Sequence, residues 1–332
     1  MTQNLEQAYQ ACAEITRQRA RNFYYGLRLT PEPRRSALYS VYAWMRAADD
    51  QVDGAGTFED KARRLELFAR STQQLIAGAD LETNEQNPVW VAFRATVDTY
   101  SINHDDLHAL MDGLRLDLQH EREASASAPN KPAVICQARD DLEQYCYSVA
   151  STVGLICIAI WGLRGDVDRA HARALAVQRG LAFQLTNILR DFAEDYDSGR
   201  IYLPNDDFSA AELTPADLRN WSDPGRCAGI ISSVARWARE SYDQSQPLDD
   251  MILPDCRPAL RAMTRIYSGL LGVIEHEPKR IVGARRIRLQ SYHKAGIAIT
   301  SLVSAWLDGR TAKRQNDPHF VGAHAPATRT TK

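Results

Sequence analysis

The stretch from residue 180 to residue 204 constrains this chain more than any other, because it combines a helical period with more acid than helix stability needs. Gln184, Asn187, Asp191 and Asp195 follow one another at steps of three, four and four, so at about 100° per residue they share one stripe of a helix. Leu181, Leu185, Ile188, Leu189 and Phe192 take up much of the remaining circumference, which sets the polar stripe against protein or a cavity. Two carboxylates one turn apart, roughly 6 Å along the axis, repel each other unless a cation sits between them. Mg²⁺ is the natural candidate, since it takes oxygen ligands and binds through one or two carboxylates plus substrate phosphates. Taken alone, an Asp-x-x-x-Asp pair is most often a solvated acidic face.

A second copy changes that balance. Residues 42–53 read Tyr-Ala-Trp-Met-Arg-Ala-Ala-Asp-Asp-Gln-Val-Asp, placing Asp49 and Asp53 at i and i+4 beside Arg46, with Leu38, Val41, Tyr42 and Met45 as the apolar side. Two matching acidic helices in one chain suggest a shared cavity with a metal-bridged diphosphate between its walls.

These two segments resemble the signature motifs of the squalene and phytoene synthase family, which condenses two prenyl diphosphates head to head. The second match, Asn-Ile-Leu-Arg-Asp-x-x-Glu-Asp followed by Gly-Arg-Ile-Tyr-Leu-Pro, is long and specific, and supporting matches run from about residue 20 to about residue 290. The fold implied is an all-α, single-domain, isoprenoid-synthase-like helical bundle around a central cavity. It would span residues 17–307, after a polar segment 1–16 and before a tail 308–332 expected to be disordered.

Composition agrees with a helical enzyme of this kind. Hydrophobic residues make up 44% of the 332, enough for a sizeable core, and the formal charge of −2 is spread along the chain, so nothing argues for nucleic acid as a partner. Residues 1–21 are polar and lack an apolar signal core. The six cysteines show no Cys-x-x-Cys spacing, so reduced buried thiols are expected in place of a zinc site. The apolar run 149–163 is short for a membrane span and reads as a central buried helix. A cytoplasmic chain follows, at most peripheral at the inner membrane during product release, and the resemblance implies a monomer or weak dimer.

The resemblance also implies roles. Asp49, Asp53, Asn187, Asp191 and Asp195 would hold Mg²⁺, several ions per site, with the four aspartates counted as catalytic alongside Tyr145, a match to a tyrosine that handles protons in the first condensation. Arg19, Arg21, Tyr42, Arg46, Gln184, Arg190, Arg200, Tyr267 and Arg286 would bind diphosphate. Arginine suits that work because its planar fork holds two phosphate oxygens at once. Arg286 is the nearest equivalent of the family's C-terminal phosphate contact, with other arginines of the run 279–288 as alternatives. Phe23, Leu27, Val149, Ala150, Val153, Gly154 and Gly180 would line the prenyl tunnel, where Ser151 replaces a usual glycine. Asp112 and Asp117, on a helix expected from residue 105 to about 120, face either the cavity or the surface.

Substrate length is the open choice. The run Phe23-Tyr-Tyr-Gly-Leu-Arg most resembles bacterial presqualene diphosphate synthases acting on two farnesyl chains, with phytoene synthases on two geranylgeranyl chains as the alternative. NADPH would be needed only for the full squalene reaction. A non-catalytic lipid-binding or assembly member of the family is the rival from another class. Head-to-tail synthases and terpene cyclases rank lower, because their second motifs do not continue into Gly-Arg-Ile-Tyr-Leu-Pro.

Overall fold

In the computed structural model, residues 2–20, 22–79, 86–127 and 132–288 are described. Arg21, the end of the expected domain over 289–307 and the tail 308–332 lie outside them. The described residues form fourteen α-helices: α1 Thr2–Arg19, α2 Asn22–Leu27, α3 Arg34–Asp53, α4 Phe58–Ile76, α5 Pro88–Thr99, α6 His104–Ser127, α7 Arg139–Cys146, α8 Thr152–Trp161, α9 Arg169–Asp197, α10 Asn205–Ala210, α11 Pro215–Asn220, α12 Pro224–Gln244, α13 Leu248–Met251 and α14 Arg257–His276. The one sheet among these residues is a two-residue parallel pair, β1 Ala133–Val134 with β2 Arg200–Ile201. The all-α expectation holds, and the strand pair ties the segment after α6 to the end of the second acidic motif.

α9 is the axis of the bundle, packed on α12, α14 and α8. Its start is fixed by Asp168, whose carboxylate accepts the Ala170 N–H at 2.9 Å. Its end is fixed by Gly199, whose φ of 85° turns the chain out of the helix and into β2 at no steric cost. The polar segment 1–16 lies mostly in α1, which buries Ala8, Cys12 and Thr16 and packs on α3 and α5.

α3 is held in roll by its tryptophan. Trp44 is fully buried and stacks on Phe93 with ring centres 4.6 Å apart and planes 1° off parallel. At about 100° per residue, Tyr42, Asp49 and Asp53 lie roughly 140–180° around the helix from Trp44, so packing one face aims the other at the cavity.

The apolar run expected over 149–163 forms the second half of a helix from Arg139 to Trp161, with a π-helical turn at Tyr147–Ser151 between α7 and α8. Within and beside that turn, Thr152 Oγ1 donates to the Ser148 carbonyl at 2.7 Å, a side-chain competition that loosens regular helix geometry. Among the described residues this is the one helix long and apolar enough to cross a membrane, and 61% of its apolar window is buried inside the protein. All six cysteines are buried and free.

Candidate active site

Both acidic helices reach the wall of one apolar cavity of about 210 Å³, the first through Tyr42 and Met45 and the second through Gln184 and Asn187. α8 and its π turn supply Val149, Ala150, Val153 and Gly154 to the wall, α9 supplies Gly180, Phe183, Gln184 and Asn187, and Phe23, Tyr42 and Tyr267 close the opposite side. Six of the seven expected tunnel residues therefore line the cavity. Leu27 does not: it is 2% exposed and belongs to the packed core, because α2 turns it away from the cavity while directing Phe23 inward.

Ser151, in place of the usual glycine, turns its hydroxyl to the neighbouring helix. Its hydroxyl donates to the Val177 carbonyl on α9 at 2.9 Å, pinning the two helices where they cross. At that crossing a Cβ on Gly180 would lie 2.5 Å from Ser151 Cα and 2.8 Å from its backbone nitrogen. Gly180 thus permits the close approach that sets the spacing of the cavity walls.

On α3, Arg46 gathers the first motif, its Nη2 donating to Asp50 at 2.6 Å and Asp53 at 3.2 Å, with Asp49 at 3.6 Å from Nη1. Asp49 has 41% of its side-chain surface open, yet burial pushes its carboxyl up to about 7, against the pull of Arg46 and with the repulsion of Asp53, Asp117 and Asp50. Together these describe a carboxylate facing an interior cleft, where desolvation outweighs one arginine.

On α9, Asp191 is clamped. Arg190 Nε donates to Oδ1 at 2.7 Å and Arg286 Nε to the same oxygen at 2.6 Å, while both guanidinium groups also bond Oδ2. These bonds overcome desolvation and hold the Asp191 carboxyl below its ordinary value. One turn on, Asp195 is pushed up to about 6 by burial and by Asp191, with Arg200 and Arg286 opposing. Asn187 Nδ2 donates to Gln184 Oε1 at 3.2 Å, and Asn187 Oδ1 is buried at the cavity with no hydrogen-bond partner. An orphaned buried acceptor beside two carboxylates is a donor set awaiting a cation or a proton donor.

Sequence reasoning left Asp117 undecided and passed over Tyr202. Asp112 is 63% exposed and pairs with Arg115 at 2.7 Å, whereas Asp117 hydrogen-bonds with Tyr145, is pushed up to about 6 by burial, and keeps Oδ1 buried without a partner. Tyr202 stacks on Tyr145 with ring centres 4.9 Å apart. The signal for Asp117 was its phase: it follows Leu110 by seven and Leu114 by three, on the buried stripe of α6.

Arg200 links the halves, lying within electrostatic range of Tyr202, Asp117, Asp195 and Tyr145. Asp117 in turn feels Arg200, Tyr145 and Asp53. Tyr267, stacked on Phe183 at 4.8 Å, hydrogen-bonds with Arg190, and Tyr42 feels Asp49, Arg46, Tyr267 and Arg19. Arg19 itself is exposed at the end of α1. Of the fifteen expected catalytic, metal and diphosphate-binding positions, those on α3, α9, β2, α14 and the segment after it are linked by these contacts, Tyr145 joins them through Asp117 and Arg200, Arg19 is exposed, and Arg21 lies outside the described residues.

The family model for squalene/phytoene synthase matches residues 16–293. The chain belongs to the squalene/phytoene synthase family. It is 34% identical over 304 residues to a phytoene synthase of Mycobacterium tuberculosis, covering 91% of this chain and 92% of that one. It is 30% identical over 284 residues to a 15-cis-phytoene synthase of Synechocystis, covering 82% and 78%. Among solved structures it matches a dehydrosqualene synthase in complex with ligand, at 25% identity and a TM-score of 0.76, covering 92% of this chain and 99% of that one. The fold is shared with squalene synthase HpnC from Alicyclobacillus acidocaldarius, at 23% identity and a TM-score of 0.69, covering 82% and 95%. Squalene/phytoene synthases are head-to-head prenyltransferases, and this chain is one of them.

Such enzymes usually work with a divalent metal. Among the described residues no three His, Cys, Asp or Glu side chains converge closely enough to hold an ion alone. The donors come as aspartates one turn apart on two helices, together with an unpartnered Asn187 oxygen, a hard-oxygen set that fits a cation completed by phosphate oxygens and water.

Proposed function

We propose that the chain joins two geranylgeranyl diphosphates head to head (1′–1) to give phytoene by way of a cyclopropylcarbinyl diphosphate. The observation that carries the reaction class is one apolar cavity walled by both acidic helices, whose carboxylates Asp53 and Asp195 lie within electrostatic range of the Asp117–Arg200 pair between them. The C20 choice is supported by relatives named phytoene synthase that match over most of their length.

In this reading Asp49, Asp53, Asn187, Asp191 and Asp195 would hold Mg²⁺, which would supply Lewis-acid stabilisation of the diphosphate leaving group. Arg46, Arg190, Arg200 and Arg286, with Arg19 and Arg21 from the N-terminal side, bind the diphosphate oxygens; Tyr42, Gln184 and Tyr267 orient them. Preorganised donors of this kind act where charge develops, in a site shielded from water. Val149, Ala150, Val153, Gly154 and Phe23 keep water from the allylic cation as the second chain's double bond attacks. Tyr145 then relays the proton lost as the cyclopropane closes, its phenol passing its own proton to the hydrogen-bonded Asp117 carboxylate as it takes up the new one. Burial raises its hydroxyl well above the ordinary tyrosine value, so it stays a neutral phenol able to pass a proton between neighbours. Asp117 and Tyr202 hold it in place.

A farnesyl substrate giving presqualene diphosphate is the second reading, favoured by the similarity to a dehydrosqualene synthase structure and by the Phe23-Tyr-Tyr-Gly-Leu-Arg run. For either substrate the reading puts the chain in the cytoplasm with peripheral membrane contact for product release, supported by the burial of the Arg139–Trp161 helix.

The test incubates the protein with Mg²⁺ and geranylgeranyl or farnesyl diphosphate, with and without NADPH, and identifies the lipids by mass. Phytoene from the C20 substrate without reductant is the expected product. Product only from the C15 substrate selects the second reading, with squalene appearing only where NADPH serves as reductant. No condensed lipid from either substrate, with folded protein and metal, leaves a lipid-binding or assembly role.

A further inference from the structure

Among the described residues, the wall of the cavity carries one charge. Along α9 its wall runs from Asn187 and Gln184 near the mouth, through Phe183 and Gly180, to Arg179 and Ala176. At 1.5 Å per residue, Arg179 lies about 18 Å along the helix from Asp191. Arg179 is the only formally charged side chain among the described residues lining the cavity, and it is 3% exposed.

Its guanidinium is fixed from several sides. Nε donates to Ser245 Oγ at 2.8 Å, Nη2 to the Ser245 carbonyl at 2.9 Å, and Nη1 to Asp249 at 3.1 Å and to Thr264 Oγ1. Four of its five donors are thereby engaged, and they tie α9 to the end of α12, to α13 and to α14. Leu248 and Leu260, beside these partners in sequence, line the same end, as does Trp161, whose Nε1 donates to Thr30 Oγ1 at 3.0 Å.

We infer that Arg179 is the length stop of the prenyl cavity, a specificity-determining residue that sets which chain lengths the enzyme accepts; this rests on reading the cavity as the prenyl site. A hydrocarbon tail can pass apolar side chains that swing to another rotamer. To pass Arg179 it must separate a buried guanidinium from its carboxylate and leave an uncompensated charge in an apolar tunnel, a strongly unfavourable change. The bonded plug therefore yields less than a wall of leucines.

The experiment compares the protein with Arg179→Met, of nearly the same length but apolar, and Arg179→Ala. Asp249 keeps a partner in both, since Arg261 Nε lies 3.6 Å away. Unreactive thio-diphosphate analogues with C15, C20 and C25 chains are titrated in the presence of Mg²⁺ by calorimetry, and turnover of the matching diphosphates is measured in parallel. The affinity ratio of the longest chain to the preferred one is expected to rise about tenfold or more in both variants, the scale on which apolar pockets discriminate chain length. If Arg179→Ala does not fold, as judged by circular dichroism, Arg179→Met decides. An unchanged ratio in a folded variant overturns the inference and leaves Arg179 a structural tie. So does failure of the unaltered protein to bind any of the three analogues. Binding without condensed product overturns the proposed reaction instead, and the length test still reads out.

Discussion

Asp191 already has two cationic partners, so any metal it binds must exchange with them. Arg190 and Arg286 both bond its two oxygens, and the same guanidinium groups are suited to a diphosphate. In the proposed reading a bound diphosphate would draw off the arginines and leave the Asp191 carboxylate free to hold a cation. Asp191→Asn keeps the shape and removes the charge. Turnover is expected to fall at least about a hundredfold, since Lewis-acid stabilisation is commonly worth several kcal/mol, while far-UV circular dichroism stays unchanged. Near-normal turnover would end the metal role of this residue. At Tyr145 the measurement is a split between kcat and KM. Tyr145→Phe keeps the stack on Tyr202 and removes the hydroxyl, so kcat should drop by about 10²-fold or more with KM little altered, the range for positioned proton transfer. An unchanged rate of cyclopropane formation would return Tyr145 to packing.

The spacing of whole helices is set where α9 crosses the π turn. Gly180→Ala puts a methyl 2.5 Å from Ser151 Cα, a clash with backbone that no rotamer relieves. A loss of about 1–3 kcal/mol is expected in urea unfolding, the usual cost of overpacking, with a fall in activity as Val149 and Ala150 move from their places opposite Asn187. Wild-type stability and activity in Gly180→Ala would show that the crossing can relax. Helix phase explains how much of this was readable beforehand. The stripe Gln184, Asn187, Asp191 and Asp195 and the pair Asp49 and Asp53 follow from a period of 3.6, which depends on nothing beyond the chain itself. Leu27 was placed in the tunnel by resemblance, and in the six-residue α2 it packs into the core. Asp117, Tyr202 and Arg179 matter through partners distant in sequence, and only the packing of α6, β2 and α13 brings those partners into contact. The π turn was equally hidden, since Ser148 and Thr152 disturb the helix through side-chain hydrogen bonds that a hydrophobic pattern does not register.

For the molecule as a whole, the acidic cleft makes stability depend on pH in an unusual direction. Asp49 is raised to about 7, and Asp117 and Asp195 to about 6, from an ordinary aspartate value of 3.8. A carboxyl whose folded value is raised binds its proton more tightly in the folded state. Its contribution is fully present below about pH 4, and it is lost as pH climbs through 6 and 7. The carboxyls held below their ordinary values, Asp191 and Asp197 among them, act in the opposite sense but only in more acidic solution, as pH falls below about 4. Between pH 5.5 and 8 the raised group governs, so the metal-free protein should melt at a lower temperature at pH 8 than at pH 6. Mg²⁺ with inorganic diphosphate should reverse that order. Cation binding requires the ionised carboxylates, so protons compete with it and the added stability is larger at pH 8. At a hundredfold excess over Kd the gain is about 2.7 kcal/mol, enough for thermal unfolding to read in degrees. Equal melting shifts at the two pH values would mean that proton and cation do not share these carboxylates, and the cation would then have to be held by the diphosphate and arginines without Asp49 and Asp195.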